Sequence, residues 1–257
     1  MDYFEKITAK PSDDITWNIP ERKTGTINII GGNSQSFKTP VRIAEFLGAN
    51  YPVENVNVVL PDALSSQLPP LPNFVFLPST DSGSFTGEGI AQAMDSADFN
   101  LFIGDISKNS ITIKELGNAV KVAGKMTLLT RDAVDIIAEG EPERTLMNEN
   151  LILLASIPQL QKLLHAAYYP RMITLSQSLM QIAETLHKFT LSYPTSIVTF
   201  NNGQVLIANA GRVVAVPLEK TNYSALTLWN GELAAKIVAL NLYNPNNFIS
   251  SCLAALF

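Results

Sequence analysis

Residues 100–132 read NLFIGDISKNSITIKELGNAVKVAGKMTLLTRD and contain one complete strand–helix–strand unit. Short apolar runs at Asn100–Ile103 and Met126–Leu129 predict two strands, and the segment between them predicts a helix at about Ser110–Ala123. Because parallel strands need a crossover connection of about a dozen residues or more, this spacing predicts that the two strands are parallel. Both runs are apolar throughout, which is typical of a sheet that is covered by helices on both faces.

The same alternation continues on both sides of this unit. Further strands are predicted at Thr26–Ile30, Val56–Leu60, Phe74–Leu77, Leu151–Leu154, Ser196–Phe200, Gln204–Ala208 and Arg212–Val216. Further helices are predicted at about Pro40–Leu47, Gly87–Met94, Leu175–Lys188, Gly231–Asn241 and Asn246–Leu256, with another one that begins at Asp132. Asn202-Gly203 separates two strand patterns and predicts a two-residue hairpin. The sequence therefore predicts an α/β fold with a mostly parallel sheet and an antiparallel edge.

The chain length of 257 residues is compatible with one large α/β domain or with two small ones. Residues 1–24 are polar and contain Pro11 and Pro20, so we interpret them as a leader segment that packs on the domain. We interpret residues 25–257 as a single domain. The mean hydropathy of +0.14 is rather high for a soluble protein, and either a buried oligomer interface or a helix-covered parallel sheet accounts for it.

Charge and composition exclude several classes of function. The net charge is −5 and no cluster of Lys and Arg occurs, so nucleic acid is not expected as a partner. No run of about 18 apolar residues occurs, so no membrane span is expected. The amino terminus lacks the apolar segment of a signal peptide, and Cys252 is the single cysteine, which together favour a cytoplasmic location. His165 and His187 lie far apart without a nearby carboxylate or thiol pair, so no metal site is expected.

Polar or glycine-bearing turns follow several of the predicted strands. They are Gly31-Gly32-Asn33, Gly104-Asp105-Ile106-Ser107 and Thr130-Arg131-Asp132. Each alone is compatible with a simple turn. In open parallel sheets, however, ligands bind outside the carboxyl ends of the strands, so the three turns together outline a cleft.

The segment Trp229-Asn230-Gly231-Glu232 opens an apolar helix near the end of the chain. The free N–H groups at a helix start form an anion site that suits phosphate. A carboxylate in the first turn can instead simply balance the helix dipole, and from the local sequence alone this capping interpretation is favoured.

In the order of these motifs the chain resembles the ADP-dependent NAD(P)H-hydrate dehydratases, a branch of the ribokinase-like superfamily. The resemblance extends from about residue 18 to the end of the chain. The segments that carry it are Pro20–Gly32, Lys38-Thr39-Pro40, Gly104-Asp105-Ile106-Ser107, Thr130-Arg131-Asp132-Ala133-Val134 and Asn230-Gly231-Glu232-Leu233-Ala234. The fourth segment corresponds to Asp-Ala-Asp-Ala-Leu in the family, and the fifth to the start of its Thr-Gly-Asp-Val-Leu-Ala-Gly stretch.

The resemblance implies a ribokinase-like three-layer fold and a chemistry in which ADP or ATP, with Mg²⁺, drives the dehydration of hydrated NADH or NADPH. The chain would then be a carbon–oxygen lyase with an adenine nucleotide and a nicotinamide dinucleotide as partners, and a homo-oligomer as family members usually are. Glu232 would be the catalytic base. The nucleotide and its phosphates would be bound by Asn230, Gly231 and Asn201. The substrate would be bound by Gly32, Asn33, Thr39, Gly104, Asp105 and Asp132.

The chain departs from the family pattern at several of these positions. Glu232 stands where the family has aspartate, and a base displaced by about an ångström can cost on the order of a hundredfold in rate. Leu228 and Trp229 stand where the family has two glycines. Its Pro-His-Pro-Gly-Glu motif is replaced by Ser156–Leu160, which removes a histidine. Its Lys-Gly pair is replaced by Phe200-Asn201, which removes a cation.

Three hypotheses therefore remain open. The chain is a nucleotide-dependent NAD(P)H-hydrate dehydratase, or a pseudoenzyme on the same fold that serves as a binding or structural protein and need not bind a nucleotide. The third alternative is a small-molecule kinase of the same superfamily. Trp229 counts against both catalytic alternatives, because phosphoryl transfer requires that its loop accept phosphate.

Overall fold

The computed structural model describes residues 2–10, 15–106 and 109–257 and shows one ten-stranded sheet within them. Its strands are β1 (Phe4–Lys6), β2 (Thr26–Ile30), β3 (Asn55–Pro61), β4 (Phe74–Leu77), β5 (Phe99–Phe102), β6 (Met126–Thr130), β7 (Leu151–Leu154), β8 (Ser196–Asn201), β9 (Gln204–Asn209) and β10 (Arg212–Pro217). Their order in space is β1-β10-β9-β8-β7-β6-β5-β2-β3-β4.

The helices of the described residues connect these strands. They are α1 (Lys38–Asn50), α2 (Ile90–Asp95), α3 (Ser110–Lys121), α4 (Asp132–Glu139), α5 (Pro142–Thr145), α6 (Ile157–Ala166), α7 (Leu179–Ser192), α8 (Glu232–Tyr243) and α9 (Phe248–Leu256). Short 3₁₀ turns occur at Ile15–Asn18, Asp62–Leu64, Leu218–Lys220 and Thr227–Trp229. No helix of the described residues is long and apolar enough to span a bilayer.

The predicted fold class is confirmed. Strands β2 to β8 pair parallel with one another, and β9 pairs antiparallel with both β8 and β10. The register Asn201↔Gln204 leaves the predicted two-residue turn at Asn202-Gly203, where both residues have positive φ.

Alternate residues of each strand enter two separate cores. Ile27 and Ile29 of β2 pack in a core with α1, α8 and α9, whereas Ile30 packs on the opposite face with α2, α3, α4, α6 and α7. This alternation follows from the period of two in a strand, and it makes the structure a three-layer α/β sandwich.

A row of asparagines crosses the interior of the sheet. Asn57 donates to Asn28 Oδ1 at 2.9 Å, and Asn28 in turn donates to the carbonyl of Ala93 near the end of α2 at 2.6 Å. Asn100 donates to the carbonyl of Met94 at 3.1 Å. The amide groups of Asn28 and Asn100 donate to carbonyls in the last turn of α2, so these polar side chains are tolerated in the core.

The amino-terminal segment contains a strand that the sequence analysis did not predict. Strand β1 pairs parallel with β10, and Glu5 forms an ion pair of 2.7 Å with Arg212. The ring of Tyr3 stacks on His187 with 4.0 Å between the ring centroids. A three-residue strand is too short to show a periodicity, so only its partner reveals it. Residues 1 and 11–14 of the proposed leader lie outside the described residues, and its separation from the domain stays a prediction.

Helix boundaries differ from the prediction where capping decides them. Helix α7 begins at Leu179 rather than Leu175, because Ser178 and Gln181 form a capping box. Helix α2 begins at Ile90 rather than Gly87, because Gly87 and Gly89 both have left-handed backbone. Helix α6 was not predicted, although a second capping box, from Ser156 and Gln159, marks its start.

Candidate functional site

The turns after β2 and β5 meet at the carboxyl edge of the sheet. Gly31 allows this approach, since a Cβ atom there would lie 1.8 Å from the carbonyl oxygen of Ile103. Asn33 Nδ2 donates to the carbonyl of Asp105 at 2.8 Å, and Ser36 Oγ donates to Asp105 Oδ2 at 2.5 Å. Two residues predicted to bind substrate, Asn33 and Asp105, are therefore in direct contact.

The turn after β6 adds a cation to this group. Arg131 Nη2 lies 3.4 Å from Asp105 Oδ1, and the two side chains are 34% and 45% exposed. Gln159 Nε2 donates to the carbonyl of Arg131 at 2.8 Å and to Asp135 Oδ2 at 3.1 Å. We name Asn33, Ser36, Asp105, Arg131 and Gln159 the strand-end cluster. It combines hydrogen-bond acceptors, donors and one guanidinium at the edge where ligands of parallel sheets bind.

Three members of the strand-end cluster were not predicted as site residues. Arg131 lies inside a turn that the sequence analysis singled out, so a cation at a strand end was the signal that could have identified it. Ser36 and Gln159 carry no comparable local signal. They join the cluster only because β2, β5, β6 and β7 lie close together at one edge of the sheet.

The remaining predicted substrate residues line the same strand ends. Gly32 and Gly104 both have left-handed backbone, and a Cβ atom on Gly104 would lie 3.6 Å from the backbone nitrogen of Gly32. Thr39 lies in the first turn of α1, and Asp132 is the first residue of α4. Ser107 of the Gly104–Ser107 turn lies outside the described residues.

Helix α8 begins where α1 and β5 converge. Gly231 has a φ of 100°, and a Cβ atom there would lie 2.5 Å from Ile103 Cδ1 and 2.9 Å from Ile43 Cδ1. Leu228 is buried in the core of this face, and Trp229 packs partly buried against it. The residues that replace the family's two glycines are therefore anchored in apolar packing.

Hydrogen bonds within the protein already engage the polar groups at the start of α8. Glu232 N–H donates to Asn230 Oδ1 at 2.8 Å, and Arg42 Nη1 lies 3.0 Å from Glu232 Oε1. The same guanidinium donates to the carbonyl of Asn230. We call this the Arg42–Glu232 pair. The pair holds the predicted catalytic base against a cation. Separately, Asn230 satisfies one of the N–H groups that a bound phosphate would need.

Asn201, the third predicted nucleotide residue, is buried at the end of β8, beside a groove of about 560 Å³. The groove lies between the β8–β9 turn and residues 217–225. Gln204 and Tyr223 line this groove. Their side-chain oxygens, Oε1 and OH, are buried and have no hydrogen-bond partner among the described residues. Burial raises the pKa of Tyr223, with smaller contributions from Tyr51 and Glu232, so its hydroxyl stays protonated and able to donate.

Metal ligands do not gather at these places: in the described ranges no three His, Cys, Asp or Glu side chains form a group that could hold an ion. His165 and His187 lie on α6 and α7, and the ring of His187 is bonded to the carbonyl of Gly211.

The sequence matches no protein-family model and none of the curated proteins. Solved structures match it over most of its length. A ribokinase-like superfamily protein of Enterococcus faecalis V583 is 14% identical with a TM-score of 0.65, and the match covers 99% of this chain and 85% of that one. Bacillus subtilis YxkO, of the UPF0031 family, is 14% identical with a TM-score of 0.60, covering 97% and 86%. The pyridoxal kinase of the same organism, solved as an ADP complex, is 10% identical with a TM-score of 0.52, covering 91% and 89%.

Likeness at these identities shows the fold and not the activity. TM-scores of 0.52 to 0.65 over most of each chain show that the fold is shared. This chain has the ribokinase-like fold.

Proposed function

We propose that this protein is a pseudoenzyme related to the NAD(P)H-hydrate dehydratases, which binds an adenine nucleotide or a nicotinamide dinucleotide and does not transfer phosphoryl groups. The observation that carries the proposal is the Arg42–Glu232 pair at the start of α8. The ligand site we propose lies at the carboxyl edge of the sheet, and Arg42 and Glu232 pair with each other where phosphoryl transfer would need free donors.

Phosphoryl transfer depends on positioned donors and cations around the transferring group. Here the first N–H of α8 is bonded to Asn230, and the guanidinium of Arg42 is bonded to Glu232. The same contact with Arg42 engages the carboxylate oxygen that a catalytic base would need free, so it counts against Glu232 in that role.

Ligand binding is supported by two features away from this pair. The strand-end cluster offers exposed polar groups that are held in place by Gln159 and Asn33. Two residues that line the groove beside Asn201, Gln204 and Tyr223, have buried polar atoms without partners among the described residues, and we take this groove as a second place to look for a ligand. The pyridoxal kinase with the same fold is an ADP complex, which supports an adenine nucleotide as the ligand to test first.

The test combines thermal unfolding with a phosphate-release assay. ADP, ATP and NADH are each added with Mg²⁺, and hydrated NADH is then supplied together with ADP or ATP. A ligand at about a hundredfold over its Kd adds about 2.7 kcal/mol, which raises Tm by roughly 5 to 10 °C for a chain of this size. We expect such a shift with at least one ligand and no phosphate release. Phosphate release by the wild type that disappears in Glu232→Gln would contradict the proposal.

An active dehydratase is the second candidate, because Glu232 keeps a carboxylate at the first position of α8. If it is correct, hydrated NADH yields NADH with release of phosphate, and Glu232→Gln abolishes the reaction. A small-molecule kinase is favoured only by likeness to structures such as pyridoxal kinase. It predicts that pyridoxal or another alcohol consumes ATP in the same assay. The homo-oligomeric state implied by the resemblance stays a prediction, measurable by light scattering.

A further inference from the structure

Arg131 is a cation in a turn where the resembling family has alanine. It lies directly after β6 and before α4, at the edge where the strand-end cluster gathers. Its backbone has a φ of 56° and a ψ of −134°, which is unusual for a residue with a side chain.

The backbone of Arg131 is held from a separate helix. Gln159 of α6 donates to its carbonyl, and the same amide nitrogen donates to Asp135 of α4. Gln159 Oε1 in turn accepts from the backbone nitrogen of Ser156, so its orientation is fixed from both ends. The guanidinium therefore extends from an anchored point rather than from a free loop.

The guanidinium has more donors than its one partner uses. It carries five N–H donors, and within the described residues its side chain contacts only Asp105, at 3.4 Å. With 34% of the side chain exposed, donors remain for a ligand. Asp105 is 45% exposed and is acceptor-only when ionised, so it suits ligand hydroxyl groups beside the cation.

We propose that Arg131 is a specificity-determining residue that makes the strand-end cluster a site for a small polyhydroxylated ligand with an oxyanion group, a phosphate or a carboxylate. The oxyanion binds Arg131, and neighbouring hydroxyl groups donate to Asp105. This inference rests on the proposed function in one respect, that the cleft binds a ligand. It goes further, because it states that the ligand is an anion and that Arg131 recognises its charge.

The test compares ribose 5-phosphate, ribonate and ribose, which share a polyol chain and differ in charge. Calorimetric titrations use the wild type, Arg131→Gly and the control Arg144→Ala, whose guanidinium is 74% exposed and bonded to Glu141 on the surface. Because loss of a charge-assisted hydrogen bond of this kind weakens binding by about 10- to 100-fold, that is the rise in Kd expected for Arg131→Gly with the anionic probe. Arg144→Ala should bind like the wild type.

The two anionic probes decide whether the oxyanion is a phosphate or a carboxylate. Arg131→Gly keeps a residue that accepts positive φ, so we expect it to fold, and circular dichroism checks this.

Three results would overturn the inference: equal affinity of Arg131→Gly and wild type for the anionic probes, equal binding of ribose, or no binding of any probe to the wild type. If ADP or NADH binds the wild type but none of these probes does, the inference fails and the proposed function stands. If hydrated NADH releases phosphate while Arg131→Gly loses affinity for the anion, the proposed function fails and the inference stands.

Discussion

Gly231 is the residue whose replacement tests the geometry of the candidate site most directly. It has a φ of 100°, and an added methyl group would lie 2.5 Å from Ile103 Cδ1 and 2.9 Å from Ile43 Cδ1. Both contacts are far below van der Waals distance, and both isoleucines are fully buried, so neither can move into solvent. Alanine at this position therefore has a backbone cost and a packing cost.

The two costs have separate magnitudes. Left-handed backbone costs a residue with a Cβ roughly 1–2 kcal/mol. One extra methyl group forced into a packed core costs about 1–3 kcal/mol. We therefore expect Gly231→Ala to lower the free energy of unfolding by about 2–5 kcal/mol, a large part of the roughly 5–15 kcal/mol that is typical of natural domains.

Gly203 provides the matched control. Its φ is 73°, and no atom lies within 4 Å of the place where its Cβ would be. Gly203→Ala therefore carries the backbone cost alone, about 1–2 kcal/mol. Urea titrations followed by circular dichroism give both values on one scale. If Gly231→Ala costs no more than Gly203→Ala, then α8 does not begin against Ile103 and Ile43, and the described site geometry is wrong.

Two further predictions concern buried polar groups. Asn28→Ala removes a donor to the carbonyl of Ala93 and an acceptor from the asparagine row, so it should cost about 1–3 kcal/mol in urea titrations. The control Asn50→Ala, on an exposed helix end, should stay within about 0.5 kcal/mol, and equal costs would contradict the role of the row. Burial raises the pKa of Tyr51 to about 12 from its ordinary 10.0, and that of Tyr243 is also raised, so unfolded tyrosine loses its proton first. Stability should therefore be complete below about pH 10 and fall as the pH rises to about 12. The fall should be smaller in Tyr51→Phe, and an unchanged slope would refute the assignment.

The Arg42–Glu232 pair also shows a difficulty in assigning a family's catalytic role to a matching residue of this chain. Glu232 keeps the charge of the family's aspartate, and position and charge alone favour a retained base. Its partner Arg42 lies 190 positions earlier in the chain, and this contact is what our proposal sets against a retained base. Retained charge at a site residue is thus weak evidence of activity until the groups that contact it are known.

Local sequence determined the architecture of this protein. The strand–helix alternation of residues 100–132 appears as β5, α3 and β6, and the Asn202-Gly203 turn appears with both residues at positive φ. Such features are encoded within a few residues, because period, turn chemistry and caps are short-range properties. The glycine-bearing turns at Gly31 and Gly104 were also visible, and they lie where strand ends approach each other.

Only the tertiary structure decided what these turns contact. Ser36 reaches Asp105 across 69 positions because β2 and β5 are neighbours in the sheet, and β1 exists only because β10 offers it an edge. Arg42 reaches Glu232 because α1 and α8 pack side by side on one face. These pairings depend on strand order and helix packing, which no window of local sequence contains. For that reason the sequence alone predicted a ribokinase-like α/β fold, and the tertiary structure decided which charged groups at its strand and helix ends are paired with each other.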